Sequence, residues 1–540
     1  MNLTHDPWIP VIAADGRQRL VSLQEAFASA HEIRDLSVKP HEKIALLRLL
    51  ICITQAALDG PKDFDAWETC RDGIQPAVKR YLEKWQSAFE MFGDGPRFLQ
   101  VLGLKAFNED KEKTWASKIE LALASGNNPT LLDNDAHVDR ALPEARLAVA
   151  LVTFQSFSPG SPIAAAIWNG KPTRTKGGKP AKNGKTWSGD APCLVDGSVH
   201  SFLLGGSLLD SIWLNLLSKE TVMDCYGDSG WGMPVWEDCP SGPTWEDQPK
   251  AKGGGKEAIK SYLGRLVPLS RAVLVGHDRR FLVMSNGVEY PGLPIAREPS
   301  TTRTVVKEKD RLIGARLGRS VWRDLPSILQ KRAATRDPLM GPMALQSFPG
   351  MDGVSLWVGA LVPDEENSAN LRDSIESAFS LPASMYSDCG YKLFCAGVAY
   401  AEDWAKALNR AVQAYWIARW HRLDGQSDLR EALNKASSSD KKLARKRADQ
   451  AEPIFWTDVE QRLSLLLQHV AKPDDPREPK DTEWGSAVWF AAQEAFAAAC
   501  SHESSREIAT FTLARRHLHL WKPKNDDGKD QKQSRTRKRK

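Results

Sequence analysis

The chain has 540 residues, room for two to four domains, and a hydrophobic fraction of 42%, ordinary for a protein with a packed core. Its net charge of +5 is set by the last stretch, residues 522–540, where nine basic residues face Asp526, Asp527 and Asp530, so the rest is close to neutral and any polyanion contact must come from local patches. No run approaches the roughly 18 apolar residues of a membrane helix, no basic-then-apolar leader opens the chain, and the eight cysteines are scattered without a C-x-x-C pair; a cytoplasmic protein with reduced thiols and no membrane partner is expected.

Residues 8–13 and 17–22 read as a hairpin around Asp15-Gly16, followed by Ser22-Leu23-Gln24-Glu25, which fits a capping box opening a helix. Helical spacing follows at Ile44, Leu47, Ile51 and Leu58, and again at Val78, Tyr81, Leu82, Trp85 and Phe89. Residues 125–129 form a turn-rich break, and 146–154 a short helix. Residues 170–187 carry Lys171, Arg174, Lys176, Lys179, Lys182 and Lys185 among glycines, without an acidic residue. That composition cannot pack a core and reads as a mobile cationic loop, suited to a DNA backbone. Leu208, Leu209, Ile212, Trp213, Leu216 and Leu217 restore a helix, and residues 225–260 are irregular.

Strand patterns appear at 272–275 and 281–284, around Gly276-His277-Asp278, and a further hairpin is expected over 343–362 with its tip at Pro349-Gly350-Met351-Asp352-Gly353. Beyond Pro363 four helices are expected: one on Leu371, Ile375 and Phe379, one on Phe394 through Trp416, one on Leu463 through Val470, and one from Trp484 to Trp521. The expected fold class is therefore α+β. A mixed domain of helices and short antiparallel hairpins spans 1–363, a four-helix bundle 364–521, and a disordered basic tail 522–540.

Catalytic signatures are absent from the sequence. There is no H-E-x-x-H, no paired Cys and His in one local motif, and no phosphate loop: Gly253-Gly254-Gly255-Lys256 is followed by Glu257 where a metal-binding hydroxyl is needed. Arg515-Arg516-His517-Leu518-His519 reads as a helix face turned to solvent or a partner. The expectation is a non-enzyme without metal or cofactor. A nuclease or NTPase with a site assembled from distant residues stays open, as does a nucleic-acid-binding scaffold without motif specificity.

The opening block Asn2-Leu3-Thr4-His5-Asp6-Pro7-Trp8-Ile9-Pro10-Val11 closely resembles the start of the CasA family, the large subunit of the type I-E CRISPR surveillance complex Cascade. The resemblance covers nearly the whole chain, mostly as the order of elements. It implies recognition of a protospacer-adjacent motif (PAM) in double-stranded DNA and the start of R-loop formation. It also implies a guide CRISPR RNA, the backbone, small and 5′-handle-binding subunits, and a separate helicase–nuclease as partners. It places a loop that grips the RNA handle near the PAM at Asn128, Pro129, Thr130, Leu131, Leu132 and Asp133. It places a loop on the duplex backbone at Ser158, Pro159 and Gly160, where family members often carry several consecutive glycines and this chain has one. A minor-groove finger, a lysine in the family pattern, falls at Arg280 beside Arg279, and a strand-separating wedge at Met351, Asp352 and Gly353. The bundle is implied to pack on the small subunits and to help hold the displaced strand. Guide pairing would read the target sequence while the protein reads a short motif and the backbone.

Overall fold

The computed structural model describes residues 1–106, 114–123, 142–158, 162–164, 166–172, 185–187, 197–227, 230–239, 261–287, 290, 298–306, 309–332, 340–363, 371–421 and 429–520. The chain divides into two units, Met1–Leu381 and Pro382–Lys540.

The expected N-terminal hairpin forms. Ile9–Ala13 is the centre of a three-stranded antiparallel sheet, paired with Gln18–Val21 on one side and Ile33–Leu36 on the other. Gly16 takes a left-handed backbone (φ 83°), as the tight turn requires. Trp8 is fully buried and its indole donates to the Leu3 carbonyl at 3.0 Å, so the prolines flanking this region frame an anchor. Ser22 caps the helix Leu23–Ala28 by accepting from the Glu25 amide, while the Glu25 carboxylate turns to Arg19. Half of the capping box is thus realised.

The core of the first unit is built around the helix Pro40–Leu58. Every residue from Ile44 to Gln55 is buried, so this helix is apolar nearly all round, as an interior helix must be. It contacts the helices Ile74–Trp85, Glu144–Phe157 and Tyr262–Leu266 and the strand Ser355–Pro363. That strand is the middle of a second sheet, between His200–Leu204 and Leu371–Ser380.

Three expectations are corrected here. Leu371–Ser380 is a strand, not a helix, in register from Ser355↔Ser380 to Pro363↔Leu371. Leu371, Ile375 and Phe379 are four apart, which suits one helix face but equally one face of a strand of period two, and only the partner strand decides between them. The sheet thereby runs past residue 363, where the change to helices was expected. The hairpin over 343–362 does not form either: Met343–Ser347 is a helix, and the tip leads from it into the strand Ser355–Pro363. Nor are the ends of the cationic stretch loop. Lys171–Pro172 pairs with Ile167–Trp168 across a two-residue turn in which Asn169 (φ 48°) and Gly170 (φ 80°) are both left-handed, the hallmark of a tight Asn-Gly hairpin. Lys185–Trp187 pairs with Pro162–Ala164.

The second unit is helical. The helix Asp388–Trp420 runs for 33 residues and is capped by Ser387. Gly397 on it lets Leu466 approach, since a Cβ there would stand 2.3 Å from the Leu466 side chain. Around it lie Ser438–Gln461, Leu463–Val470, Glu483–Ala499 and Ser505–Arg515. The expected fourth helix is two, interrupted at Cys500–Ser504, with Ser504 and Glu507 forming a full capping box for the second. Ser438–Gln461 was not foreseen. Its N-terminal half is strongly basic, and its buried contacts there are only Ala444, Ala448 and Ala451. The tail 522–540 lies outside the described residues. Among the described residues no helix is long and apolar enough to cross a membrane, and the described cysteines are free thiols.

Candidate nucleic-acid interface

The strands Arg271–Val275 and Phe281–Asn286 pair from Arg271↔Asn286 to Val275↔Leu282, and Thr114–Trp115 adds a short third strand opposite Phe281 and Leu282. The free side of Arg271–Val275 is covered by side-chain amides. Gln155 accepts from the Arg271 amide (2.8 Å) and donates to its carbonyl (2.8 Å), and Gln100 accepts from the Val275 amide (3.0 Å).

The tip between these strands is fastened throughout. The Arg279 amide donates to the Gly276 carbonyl (3.0 Å) and the Gly276 amide to the Phe281 carbonyl (2.8 Å). The Asp278 carboxylate accepts from the amides of Arg280 (3.1 Å) and Phe281 (3.3 Å). Arg97 donates to the Val275 carbonyl at 2.8 Å and lies 3.4 Å from the His277 ring.

The two arginines of the tip have different surroundings. Arg279 has a left-handed backbone (φ 60°), uncommon for a residue with a Cβ. Its guanidinium turns back onto the Phe92 ring, 5.1 Å from the centroid, and pairs with Glu144 in the first turn of Glu144–Phe157. Arg280 lies 5.9 Å from the centroid of Trp115, which stacks on Phe281 with centroids 4.4 Å apart. Arg97, Glu144 and Trp115 shape this tip and none was singled out from sequence. Trp115 carries a usable sign in its exposure, 38% for a large aromatic, but exposure is not legible in a sequence.

The other expected residues are placed as follows. Ser158 ends the helix Glu144–Phe157, fully buried, and its hydroxyl accepts from Arg271 Nε at 2.9 Å. Its side chain therefore belongs to the interior. Met351 is half-buried against the core of the first unit, and Asp352 and Gly353 are exposed, with Gly350 (φ 89°) and Gly353 (φ 79°) left-handed. Lys171 is exposed on its strand. Asn128, Pro129, Thr130, Leu131, Leu132, Asp133, Pro159, Gly160, Arg174, Lys176, Lys179, Lys182 and residues 253–257 lie outside the described residues.

In the second unit Lys441, Lys442, Arg445 and Lys446 are exposed on Ser438–Gln461. Beside them the Trp416 ring has Arg447 at 4.9 Å and Arg419 at 5.5 Å. Cations interleaved with aromatics are the chemistry that suits a nucleic-acid strand. Among the described residues no cluster of three His, Cys, Asp or Glu could hold a metal ion.

A mixed unit of small antiparallel sheets around one buried helix, carrying a braced arginine tip and followed by a helical unit, defines an α+β protein. The chain matches the family CRISPR-associated protein Cse1 over residues 2–495 and belongs to it. It is 28% identical over 487 residues to the CRISPR-associated protein CasA/Cse1 of Thermus thermophilus, covering 86% of this chain and 89% of the relative. Its fold is similar to the crystal structure of Cse1 from Acidimicrobium ferrooxidans (TM-score 0.69, 19% identity, 96% of this chain and 97% of the other). A chain of a CRISPR RNA-guided surveillance complex is similar too, with TM-score 0.69, 16% identity and coverage of 96% and 99%.

Proposed function

We propose that this protein is the large subunit of an RNA-guided CRISPR surveillance complex of the Cascade type. Its partners are a guide CRISPR RNA, the other subunits of the complex and double-stranded target DNA. Its task is to recognise the PAM and start the R-loop, after which a separate helicase–nuclease is recruited. Family membership supports the assembly. The observation that carries the DNA-reading part is the tip at Arg280: an arginine on a turn with its backbone hydrogen-bonded on both sides, beside an exposed tryptophan. A charged side chain on a rigid turn enters a groove with little ordering left to do. Minor-groove reading is degenerate, so a tolerant motif goes with it. Asp352 and Gly353 supply the wedge with Met351 at its base, and the exposed cations of Ser438–Gln461 suit the backbone of the displaced strand.

Reading a duplex and opening it are separate tasks, and this separates them experimentally. Reconstituted complexes carrying Arg280→Ala, or Met351→Ala with Asp352→Ala, are measured on paired target DNA and on the same DNA with a bubble beside the PAM. Arg280→Ala should weaken capture of both. The wedge variant should capture duplex normally, form R-loops slowly on paired DNA and recover on the bubble, because unstacking costs a few kcal/mol per step and has been done in advance. Equal responses to the bubble, or no defect on paired DNA, would refute the assignment.

A further inference from the structure

We infer that Trp115 is a positioning residue of this interface: its indole face fixes the direction of the Arg280 guanidinium. The inference rests on the reading of Arg280 above. Thr114–Trp115 is a strand of two residues, and what it pairs with is the base of the tip, Trp115 opposite Phe281. The next amide, Ala116, donates to the Arg280 carbonyl at 2.7 Å. The backbone carrying the arginine is thereby tied to the backbone carrying the tryptophan.

Phe281, Trp115 and Arg280 then lie together, with Trp115 in contact with both. The rings of Phe281 and Trp115 lie 4.4 Å apart at 25°, and the guanidinium stands 5.9 Å from the indole centroid. An indole is the strongest aromatic partner for a cation. A tryptophan 38% exposed at the side of a binding turn is otherwise a cost in solubility. Arg279, on the same turn, lies against an aromatic ring, Phe92, and a carboxylate, Glu144. The Trp115 indole can orient a cation through its π face and carries no charge of its own.

The test is a double-mutant cycle on capture of a labelled target duplex, its flanking motif selected from a randomised pool, by the reconstituted guide-loaded complex. Trp115→Leu keeps an apolar cover over Phe281 and removes the π face; Trp115→Phe keeps a face. Trp115→Leu should weaken capture about 2- to 5-fold, the size of an exposed cation–π contact. Trp115→Phe should recover most of this. Trp115→Leu should have no further effect in the Arg280→Ala background, and the thermal unfolding midpoint should stay within a degree or two of the parent. Arg280→Ala without effect overturns the reading of Arg280 and this inference with it. Arg280→Ala weakening capture while Trp115→Leu does not, or Trp115→Leu weakening it equally in both backgrounds, overturns this inference alone. So does a lowered midpoint with no recovery in Trp115→Phe.

Discussion

Glu298→Gln should be among the most damaging single changes in the first unit. Glu298 is 2% exposed and holds two arginines, Arg48 (1%) and Arg265 (2%). One carboxylate oxygen meets Arg48 Nη2 at 2.9 Å and the other meets Arg265 Nη2 at 2.9 Å and Nε at 3.1 Å. Glutamine keeps the shape but turns an amide donor toward one guanidinium and takes from two buried cations the carboxylate they share. Breaking a buried pair in this way costs about 3–5 kcal/mol, a large share of the roughly 5–15 kcal/mol that stabilises a domain. Urea unfolding of the full chain, followed by near-ultraviolet circular dichroism, reports it as an earlier transition of the first unit. Replacing the whole triad (Arg48→Met, Arg265→Met, Glu298→Leu) should restore most of the loss, because the cost is stranded charge and not lost attraction. A Glu298→Gln loss below about 1 kcal/mol, or a triple variant no better than the single one, would refute the reasoning.

Burial holds the His41 imidazole down at about 4, with Lys39 and Arg146 adding to the shift and Glu42 opposing it. The unfolded chain takes that proton near 6.5, so between pH 6.5 and 4 it binds more protons than the folded chain and stability falls as pH is lowered. His41→Leu should remove this fall, up to about 3 kcal/mol across the window, measured as unfolding free energy against pH; an unchanged slope contradicts it. Truncation after Trp521 should lower the log–log salt dependence of DNA binding, by about 0.9 for each phosphate contact removed, and leave motif preference alone; an unchanged slope rejects a role for the tail in binding.

The local signals were legible where one segment suffices. Asp15-Gly16 gave its hairpin, Ser22 its cap, and Phe394 through Trp416 its helix. What failed depends on partners distant in sequence. Leu371, Ile375 and Phe379 fit two periods, and the strand Ser355–Pro363 chose between them. The Asn169-Gly170 pair is a turn signal, but the lysines after it dominate the composition of the stretch. The first half of Ser438–Gln461 buries alanines, which no hydrophobic pattern exposes, and Phe455, Trp456 and Val459 in the second half are too short a run to mark the whole helix. At the site, Arg280 followed from a resemblance, but Trp115 lies 165 residues earlier, Arg97 and Gln100 brace the turn from a second segment, and Gln155 holds the far end of the strand Arg271–Val275 from a third.

The arginine at 280 and the tryptophan at 115 make sense as a pair. The family pattern implies lysine at this place, a compact and strongly hydrated charge on a flexible stem. A guanidinium is planar, less hydrated and able to lie along a ring, and it keeps donors at its edge while doing so. Exchanging lysine for arginine without a platform would add donors and leave the side chain to order itself on binding. With the Trp115 indole stacked on Phe281 beside it, Arg280 would, on the proposed function, have less ordering left to do on binding. Arg279, one residue away and on the same turn, carries the same group but spends its charge on Glu144. Residues 144 and 115, both distant in sequence, thus give the two adjacent arginines their different surroundings.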